Sequence, residues 1–244
     1  MSLLDRIRRL RVPRALAHGA GNGDAEAIGR KWARTFANLG GLSAQDRILD
    51  IGCGPGRMAI GIGERFGWSN AYAGFDIKRG DIAFCTKTIS RRHASFAFVH
   101  LDIRNDLYNP TGAIAATAAV FPAAMGTIDF AFATSVFTHM LPAEVQRYLD
   151  EAARVLAPKG RLVCSLYCLR DDAPAGARRF AFAHQVGDGC FVDDPDRPEA
   201  AVAYVRDRFE AMIAQAGFRD LDFHPGAWTG AKGRHGQDVF VARR

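Results

Sequence analysis

Aspartates placed at the ends of apolar segments are the first feature of this 244-residue chain that could do chemistry. Asp50 lies within a short apolar run, whereas Asp76 and Asp102 each close one. A carboxylate offers two acceptor oxygens and a negative charge, so it can bind hydroxyl or amine groups of a ligand. These placements predict a polar binding site where several strands end.

A glycine-rich turn follows Asp50 directly and predicts a nucleotide-binding loop. Gly52, Gly54 and Gly56 separate the apolar run from a helical pattern. Glycines lack Cβ atoms, so a ligand can lie against the backbone, and a helix N-terminus offers free N–H groups. The dinucleotide fingerprint does not fit, because its third glycine position falls on Arg57. The buried charge of Asp50 would also repel a pyrophosphate, whereas it would hold a ligand that carries a cationic amine.

Strands and helices alternate along most of the chain, and this alternation predicts the fold. It indicates an α/β fold with a doubly wound, mostly parallel, Rossmann-like sheet of seven strands, an antiparallel C-terminal strand and N-terminal helices. Ligands of such sheets bind at the carboxyl ends of the strands. The predicted strands are 48–51, 71–76, 95–102, 127–133, 161–169, 218–224 and 237–243, and the predicted helices are 2–12, 24–39, one after the glycine turn, 81–90, an alanine-rich helix within 103–126, 142–156 and 200–216.

A basic segment precedes the predicted domain. Residues 1–23 are predicted to be a basic helix and linker, and residues 24–244 a single domain with a lid insertion at about 170–198, which is too long for a simple connection. The basic segment is interpreted as a solvated tail, with weak contact to an acidic membrane surface or to nucleic acid as the alternative.

Composition excludes several classes of protein. The chain is 48% hydrophobic and 24% charged with a net charge of +6, which is typical of a soluble globular domain. None of the five cysteines forms a CxxC pair, so free thiols and a reducing, cytoplasmic location are predicted. We find no signal-peptide pattern and no apolar run of membrane-spanning length.

The glycine turn carries a resemblance to a known family. The stretch Leu49-Asp-Ile-Gly-Cys-Gly-Pro-Gly56 resembles motif I of the class I S-adenosylmethionine-dependent methyltransferases. The resemblance extends from about Asp46 to Leu169 and more weakly to the final strand. It includes Ala133-Thr-Ser-Val-Phe-Thr-His-Met140, which is similar to the segment after the family's fourth strand. It implies S-adenosyl-L-methionine as the cofactor.

The resemblance also implies a role for each matching position. Asp50 would attract the ammonium group of the ligand, Asp76 would accept from both ribose hydroxyls, and Asp102 would accept from the adenine amine. The cofactor-binding residues implied in this way are Asp50, Gly52, Cys53, Gly54, Gly56, Asp76, Ile77, Asp102, Ile103, Thr134 and Ser135.

The acceptor is predicted to be a small molecule, a sugar or a lipid-like compound that is methylated on oxygen. Such a transfer needs a base, for which His139 and His184 are the candidates, and Tyr167 and Phe182 are predicted to line the acceptor site. Each of these residues could instead be an ordinary polar or core side chain. Thr138 replaces the glutamate through which some members of the family bind a metal, so no metal is predicted.

Three other functions stay open. A methyltransferase acting on RNA or protein is supported only by the basic N-terminus, and nucleic acid is disfavoured as a partner. A catalytically silent fold used for partner binding is opposed by the intact Asp50, Asp76 and Asp102. A dehydrogenase is the remaining alternative. The sequence indicates no oligomeric state.

Overall fold

The computed structural model describes residues 10–17, 24–171, 180–230 and 232–244. The chain divides into two compact units, residues 1–101 and residues 102–244. Within the described ranges, no helix is both long enough and apolar enough to cross a membrane.

The predicted N-terminal helix over 2–12 falls mostly on residues outside those that the structure describes. Residues 1–9 lie outside the described residues, and 10–13 are not helical. Helix α1, Arg14–Ala17, follows Pro13, and the Leu16 N–H donates to the Pro13 carbonyl at 2.9 Å. Proline is tolerated at a helix start, so Pro13 precedes a helix here instead of ending one.

The first unit has the parallel strands and connecting helices that the sequence predicts. Its strands lie in the order β3-β2-β1, and both neighbouring pairs are parallel. The elements are α2 Ala25–Asn38, β1 Arg47–Ile51, α3 Arg57–Phe66, β2 Ala71–Asp76, α4 Arg79–Cys85, a π-helical turn Thr86–Ser90 and β3 Phe96–His100.

Helix α2 is tightly fixed against helix α3 in this unit. Asp24 caps α2 by accepting from the Ala27 N–H at 3.0 Å. A Cβ atom on Gly29 would collide with the Arg57 carbonyl, and one on Gly61 would collide with the Gly29 backbone. The two helices therefore touch backbone to backbone, which fixes the start of α3 and with it the end of the glycine turn.

The second unit combines parallel strands with antiparallel strands on its C-terminal side. Strand β5 is parallel to β4 and β8 and antiparallel to β10, which confirms the predicted antiparallel C-terminal strand. The elements are β4 Ile128–Thr134, α5 Pro142–Val155, β5 Leu156–Leu169, β6 His184–Gly187, β7 Cys190–Val192, β8 Val202–Val205, α6 Arg206–Gln215, β9 Asp220–His224 and β10 Asp238–Arg243. The chain is thus an α/β protein of the Rossmann-like type.

The predicted helix over 200–216 is only half correct. Residues Val202–Val205 form strand β8, and the helix begins at Arg206. Strand β8 pairs with β5 on one side and with β7 on the other, and Val202, Ala203 and Tyr204 are fully buried. Pairing on both sides outweighs the weak helical preference of this stretch. The segment predicted to be a lid therefore supplies strands β6 and β7 next to β8.

The alanine-rich helix predicted within 103–126 is also wrong. Only the three residues Ala116–Ala118 are helical, as a 3₁₀ turn. Two arginines of α5 bind backbone carbonyls that would accept hydrogen bonds within a helix. Arg147 Nε donates to Ala119 O at 2.7 Å, and Arg154 donates to Phe121 O and Ala123 O at 3.2 and 3.1 Å.

Glu151 is the residue that holds this arrangement together. Its carboxylate is 3% exposed, binds Arg154 through both oxygens at 2.7 and 2.8 Å, and accepts from the Phe121 N–H at 2.7 Å. The loop before β4 is therefore held to α5 by one buried carboxylate.

We expect Glu151→Ala to lower the free energy of unfolding by about 2–3 kcal/mol, because charge-assisted hydrogen bonds are lost and buried donors stay unpaired. Urea denaturation monitored by circular dichroism measures the change. Asp150→Ala is the matched control, since the exposed Asp150 on the same helix accepts from Gln146 Nε2 at 2.9 Å, and it should change stability by less than about 0.5 kcal/mol. Equal losses for the two variants would contradict the assigned role of Glu151.

Candidate functional site

The glycine turn of the first unit adopts a backbone that favours glycine. Gly52, Gly54 and Gly56 have φ values of 71°, 51° and 78°, which lie in the left-handed region. The N–H groups of Gly52 and Cys53 both donate to Phe75 O, at 3.0 and 2.9 Å. The turn is thereby held against the end of β2, with its backbone partly exposed at Gly52 and Gly54.

Asp76 links this turn to the segment after β2. Its Oδ2 accepts from the Gly54 N–H at 2.7 Å and its Oδ1 from the Lys78 N–H at 2.8 Å. Burial raises the pKa of Asp76, and the two backbone hydrogen bonds oppose that rise. Each oxygen keeps a second lone pair, so a ligand diol could still be bound. Ile77 follows, partly buried, and its carbonyl accepts from His100 Nε2 at 3.1 Å.

Asp50 is a fully buried carboxylate with one oxygen left over. The Tyr72 hydroxyl donates to Oδ2, whereas Oδ1 has no hydrogen-bond partner among the described residues. Burial raises the pKa of Asp50 to about 8, the Tyr72 hydrogen bond and the charge of Arg57 lower it, and the charge of Asp76 raises it further. An unpaired buried acceptor is costly, so this position favours a ligand that brings a donor or a positive charge.

Cys53 and Gly56 shape the apolar side of the turn. Cys53 is 3% exposed, and a Cβ atom on Gly74 would lie 3.0 Å from its Cβ. A Cβ atom on Gly56 would lie 2.6 Å from Ile89 Cδ1. Burial, followed by the neighbouring Cys85 thiol, raises the pKa of Cys53, so this thiol is not activated as a nucleophile.

In the second unit, Asp102 holds its own loop. Its carboxylate accepts from Asn109 Nδ2 at 3.1 Å and from the Ala113 N–H at 3.3 Å. Ile103 is 2% exposed and forms an isolated β-bridge with Ile114. The acid-plus-apolar pair therefore has an internal structural role that the sequence did not predict, in addition to the predicted adenine contact.

A hydroxyl network follows the end of β4. Thr134 ends the strand and is buried, and Ser135 has a left-handed φ of 58°, which is uncommon outside glycine. The Ser135 N–H donates to Ser165 Oγ at 3.0 Å, and both serine hydroxyls donate to Gln237 Oε1, at 3.0 and 2.7 Å. Sequence reasoning missed Ser165 and Gln237, although a polar pair near the carboxyl end of β5 and the start of β10 was a usable signal.

His139 lies in the 3₁₀ turn Phe137–His139 with both ring nitrogens in contact with polar groups. Nδ1 is 2.8 Å from the Glu199 carbonyl, which can only accept, so Nδ1 carries the proton. Nε2 is 3.3 Å from the Tyr108 hydroxyl. Burial lowers the pKa of His139, and the Glu199 hydrogen bond opposes this. The ring is therefore neutral near pH 7, with its lone pair directed at Tyr108.

The second histidine candidate has no comparable surroundings. His184 is exposed at the start of strand β6, where it is paired with Val192 of β7. Among the described residues, we find no side chain that orients its ring by a hydrogen bond. The base role of His184 thus stays a prediction without structural support.

Tyr167 and Phe182 belong to an aromatic cluster that also contains Phe180 and Trp228. The ring centroids of Phe182 lie 5.3, 5.6 and 5.7 Å from those of Tyr167, Phe180 and Trp228. Phe182 is only 4% exposed, whereas the other three are partly exposed. Phe182 therefore forms the centre of the cluster, and Tyr167 is better placed to contact a ligand.

The cluster is fixed by buried or partly buried acids. Trp228 Nε1 donates to Asp238 Oδ2 at 2.5 Å, and Asp238 also accepts from the Gly226 N–H at 2.8 Å. Phe182 has a left-handed φ of 48°, and the preceding Ala181 N–H donates to Asp193 at 2.7 Å. Backbone strain of this kind persists only where the surroundings hold it, and it concentrates at functional sites.

Metal-binding side chains are not grouped in the described ranges. No set of three or more His, Cys, Asp or Glu residues there is placed to hold a metal ion. Thr138, which stands where some methyltransferases carry a metal-binding glutamate, is 1% exposed and forms part of the core.

Solved structures with this fold share little sequence with the chain. The PH0226 protein of Pyrococcus horikoshii OT3 is 14% identical with a TM-score of 0.59, and the match covers 91% of this chain and 92% of that one. A candidate O-methyltransferase of Nostoc punctiforme PCC 73102 is 14% identical with a TM-score of 0.58 over 90% of this chain, which spans 56% of that protein.

A third structure contains a methyl-donor product. The 1,6-didemethyltoxoflavin-N1-methyltransferase of Burkholderia thailandensis, solved with 1,6-didemethyltoxoflavin and S-adenosylhomocysteine bound, is 17% identical with a TM-score of 0.53. The match covers 90% of this chain and 78% of that one. At these identities the likeness establishes the fold.

A family model gives the assignment. Residues 24–221 match the model described as a methyltransferase domain, which is well over half of the chain. The motif residues of the glycine turn lie within that range. The chain therefore belongs to the class I S-adenosylmethionine-dependent methyltransferases.

Proposed function

We propose that this protein transfers the methyl group of S-adenosyl-L-methionine to an oxygen atom of a small-molecule, sugar or lipid-like acceptor. The observation that carries the donor assignment is the unpaired Oδ1 of the buried Asp50, next to a turn of left-handed glycines. This oxygen fits the ammonium group of a methionine portion and does not fit a phosphate.

The residues of the first unit fit this donor. Asp50 would accept from its ammonium group, and Asp76 would accept from its ribose hydroxyls through the lone pairs that Gly54 and Lys78 leave over. When bound, the donor supplies an activated methyl group on a positively charged sulfur. The task left to the protein is alignment of that group with the acceptor, because alignment alone can supply most of the rate enhancement in such a displacement.

The residues of the second unit are proposed to serve the adenine and the acceptor. We assign Asp102 and Ile103 to the adenine, and the partly exposed Tyr167 to the acceptor. Solved structures of this fold include a candidate O-methyltransferase and an N1-methyltransferase, so the preference for oxygen depends on the neutral His139 as a base.

A cytoplasmic location and a weak membrane contact through the basic N-terminus stay predictions. All five cysteines are free and buried, which suits a reducing compartment. The basic segment falls mostly within residues 1–9, outside the described residues.

The proposed function is tested in two steps. Calorimetry should show one S-adenosylmethionine site per chain, and incubation with radiolabelled donor and a cell extract should label a small molecule that mass spectrometry identifies. Absence of donor binding would exclude methyl transfer, and label found only in RNA or protein would favour the alternative substrate class.

We expect Asp76→Ala to weaken S-adenosylmethionine binding at least about tenfold, since two charge-assisted hydrogen bonds of about 1.5–3 kcal/mol each are lost. Isothermal titration calorimetry measures the dissociation constant. Because Asp76 also binds two backbone N–H groups, the melting temperature of Asp76→Ala and of the milder Asp76→Asn is recorded alongside. Asp222→Ala, at an exposed ion pair with Arg243, is the control and should bind normally. Unchanged affinity in a folded Asp76→Ala protein would refute the ribose assignment.

We expect the binding of S-adenosylmethionine to depend on pH through Asp50. The pKa of Asp50 is about 8 in the cofactor-free protein, so at lower pH this carboxyl is protonated and must release its proton to pair with an ammonium group. Affinity should therefore fall as the pH drops below 8, by up to about tenfold per unit.

Calorimetry between pH 6 and 8 in buffers of different ionisation enthalpy measures both the slope and the released proton. Up to about pH 7 the α-amino group of the ligand stays largely protonated, since its ordinary pKa is about 7.7–8.0, so the slope is read between pH 6 and 7. Asp50→Asn should bind more weakly at pH 8 and lose most of the slope. A wild-type affinity independent of pH would show that Asp50 does not pair with the ligand as an anion.

A further inference from the structure

We propose that Tyr108 and His139 form a proton relay in which Tyr108 contacts the acceptor hydroxyl and hands its own proton to His139. The relay rests on the proposed methyl transfer to oxygen. It assigns the contact with the acceptor to Tyr108, and the base that receives the proton acts through that tyrosine.

The direction of the contact follows from the tautomer of His139. The Glu199 carbonyl fixes the proton on Nδ1, which leaves Nε2 as an acceptor. The Tyr108 hydroxyl, 3.3 Å away, is then the donor in this pair. The rings meet edge to face, with centroids 5.2 Å apart and an interplanar angle of 89°, which keeps the hydroxyl close to Nε2.

Asn105 positions both members of the pair. Its Nδ2 donates to the His139 carbonyl at 3.1 Å, and its Oδ1 accepts from the Tyr108 N–H at 3.0 Å. Asn105 itself is only 9% exposed. One buried amide therefore fixes the backbone of the histidine relative to that of the tyrosine.

Glu199 positions the same two residues from another part of the chain. Its carbonyl binds His139 Nδ1, and its carboxylate accepts from the N–H groups of Asp106 and Leu107 at 2.5 and 3.3 Å, immediately before Tyr108. Two buried polar side chains thus converge on the orientation of one tyrosine. Such preorganisation is the arrangement that acid–base catalysis requires.

Tyr108 is the member that a ligand can reach. It is 36% exposed, a high value for a tyrosine whose loop is fixed by buried groups, whereas His139 is only partly exposed and has both nitrogens in contact with protein groups. An acceptor hydroxyl would meet the tyrosine oxygen before the imidazole.

The relay balances protons and electrons. The acceptor oxygen forms a bond to the methyl carbon, and the methyl–sulfur bond breaks with its electron pair remaining on sulfur. The acceptor proton passes to Tyr108 Oη while the Tyr108 proton passes to His139 Nε2. The Glu199 carbonyl continues to accept from Nδ1 of the resulting imidazolium, and the acids near Glu199 are Glu144 and Asp106.

The decisive variant is Tyr108→Phe, which keeps the ring contact and removes the hydroxyl. With the acceptor identified by labelled transfer, kcat should fall by about 100-fold or more, while KM and the dissociation constant of S-adenosylmethionine should stay within about twofold. His139→Gln should lose a similar factor, and the double variant should be no worse than either single variant. Tyr148→Phe, a tyrosine of α5 that packs edge to face on Phe121, is the matched control with normal turnover.

Two further measurements distinguish a proton relay from a hydrogen bond that only positions the two side chains. In the wild-type protein, kcat should rise with pH through the pKa of His139, at a midpoint below its ordinary value of 6.5, and this rise should vanish in Tyr108→Phe. Nitrogen-15 NMR should show the Nδ1–H tautomer of His139 and a shifted Nε2 resonance in Tyr108→Phe. Turnover within about threefold of wild type in Tyr108→Phe would overturn the relay alone, whereas no labelled transfer by wild type would overturn the proposed function and the relay with it.

Discussion

Buried carboxylates that accept backbone N–H groups hold the irregular segments of this protein. An ionised carboxylate is expensive to bury unless several donors surround it, and backbone amides are donors that every segment carries. Loops that have no helix or strand of their own can therefore be fixed by a single acid. The buried acids and the amides they bind are Asp76 with Gly54 and Lys78, Glu151 with Phe121, Glu199 with Asp106 and Leu107, and Asp238 with Cys168 and Gly226. The partly buried Asp102 binds the Ala113 amide in the same way.

Asp50 departs from this rule. Asp50 is fully buried, but among the residues that the structure describes only the Tyr72 hydroxyl satisfies it, at one oxygen. Burial therefore raises its pKa to about 8, far above the ordinary value of 3.8. An unpaired buried acceptor next to the glycine turn destabilises the protein. Unsatisfied polar groups of this kind are typical of sites where a ligand supplies the missing partner.

The parts of the fold that could be predicted are those encoded by neighbouring residues. The turn Gly52–Gly56, the Asp24 cap and the strands of the first unit follow from short patterns in the sequence. The predictions of secondary structure fail where contacts with residues distant in the sequence determine the local conformation. The alanine-rich stretch is not helical because Arg147 and Arg154 of α5 bind its carbonyls, and Val202–Val205 is a strand because β5 and β7 pair with it.

The same division separates the carboxylates of the glycine turn from the surroundings of His139. The carboxylates proposed to bind the donor could be singled out from the sequence, because Asp50 and Asp76 lie within short strands of a recognisable motif and Asp102 follows one. The environment of His139 could not, since Glu199 lies 60 residues away and Tyr108 lies 31 residues away in the chain. A histidine after a strand becomes a base only if one nitrogen is fixed as a donor and the other is left as an acceptor. That condition is set by a carbonyl and a hydroxyl from remote segments, so the protonation pattern of His139 is specified by tertiary contacts that no local motif records.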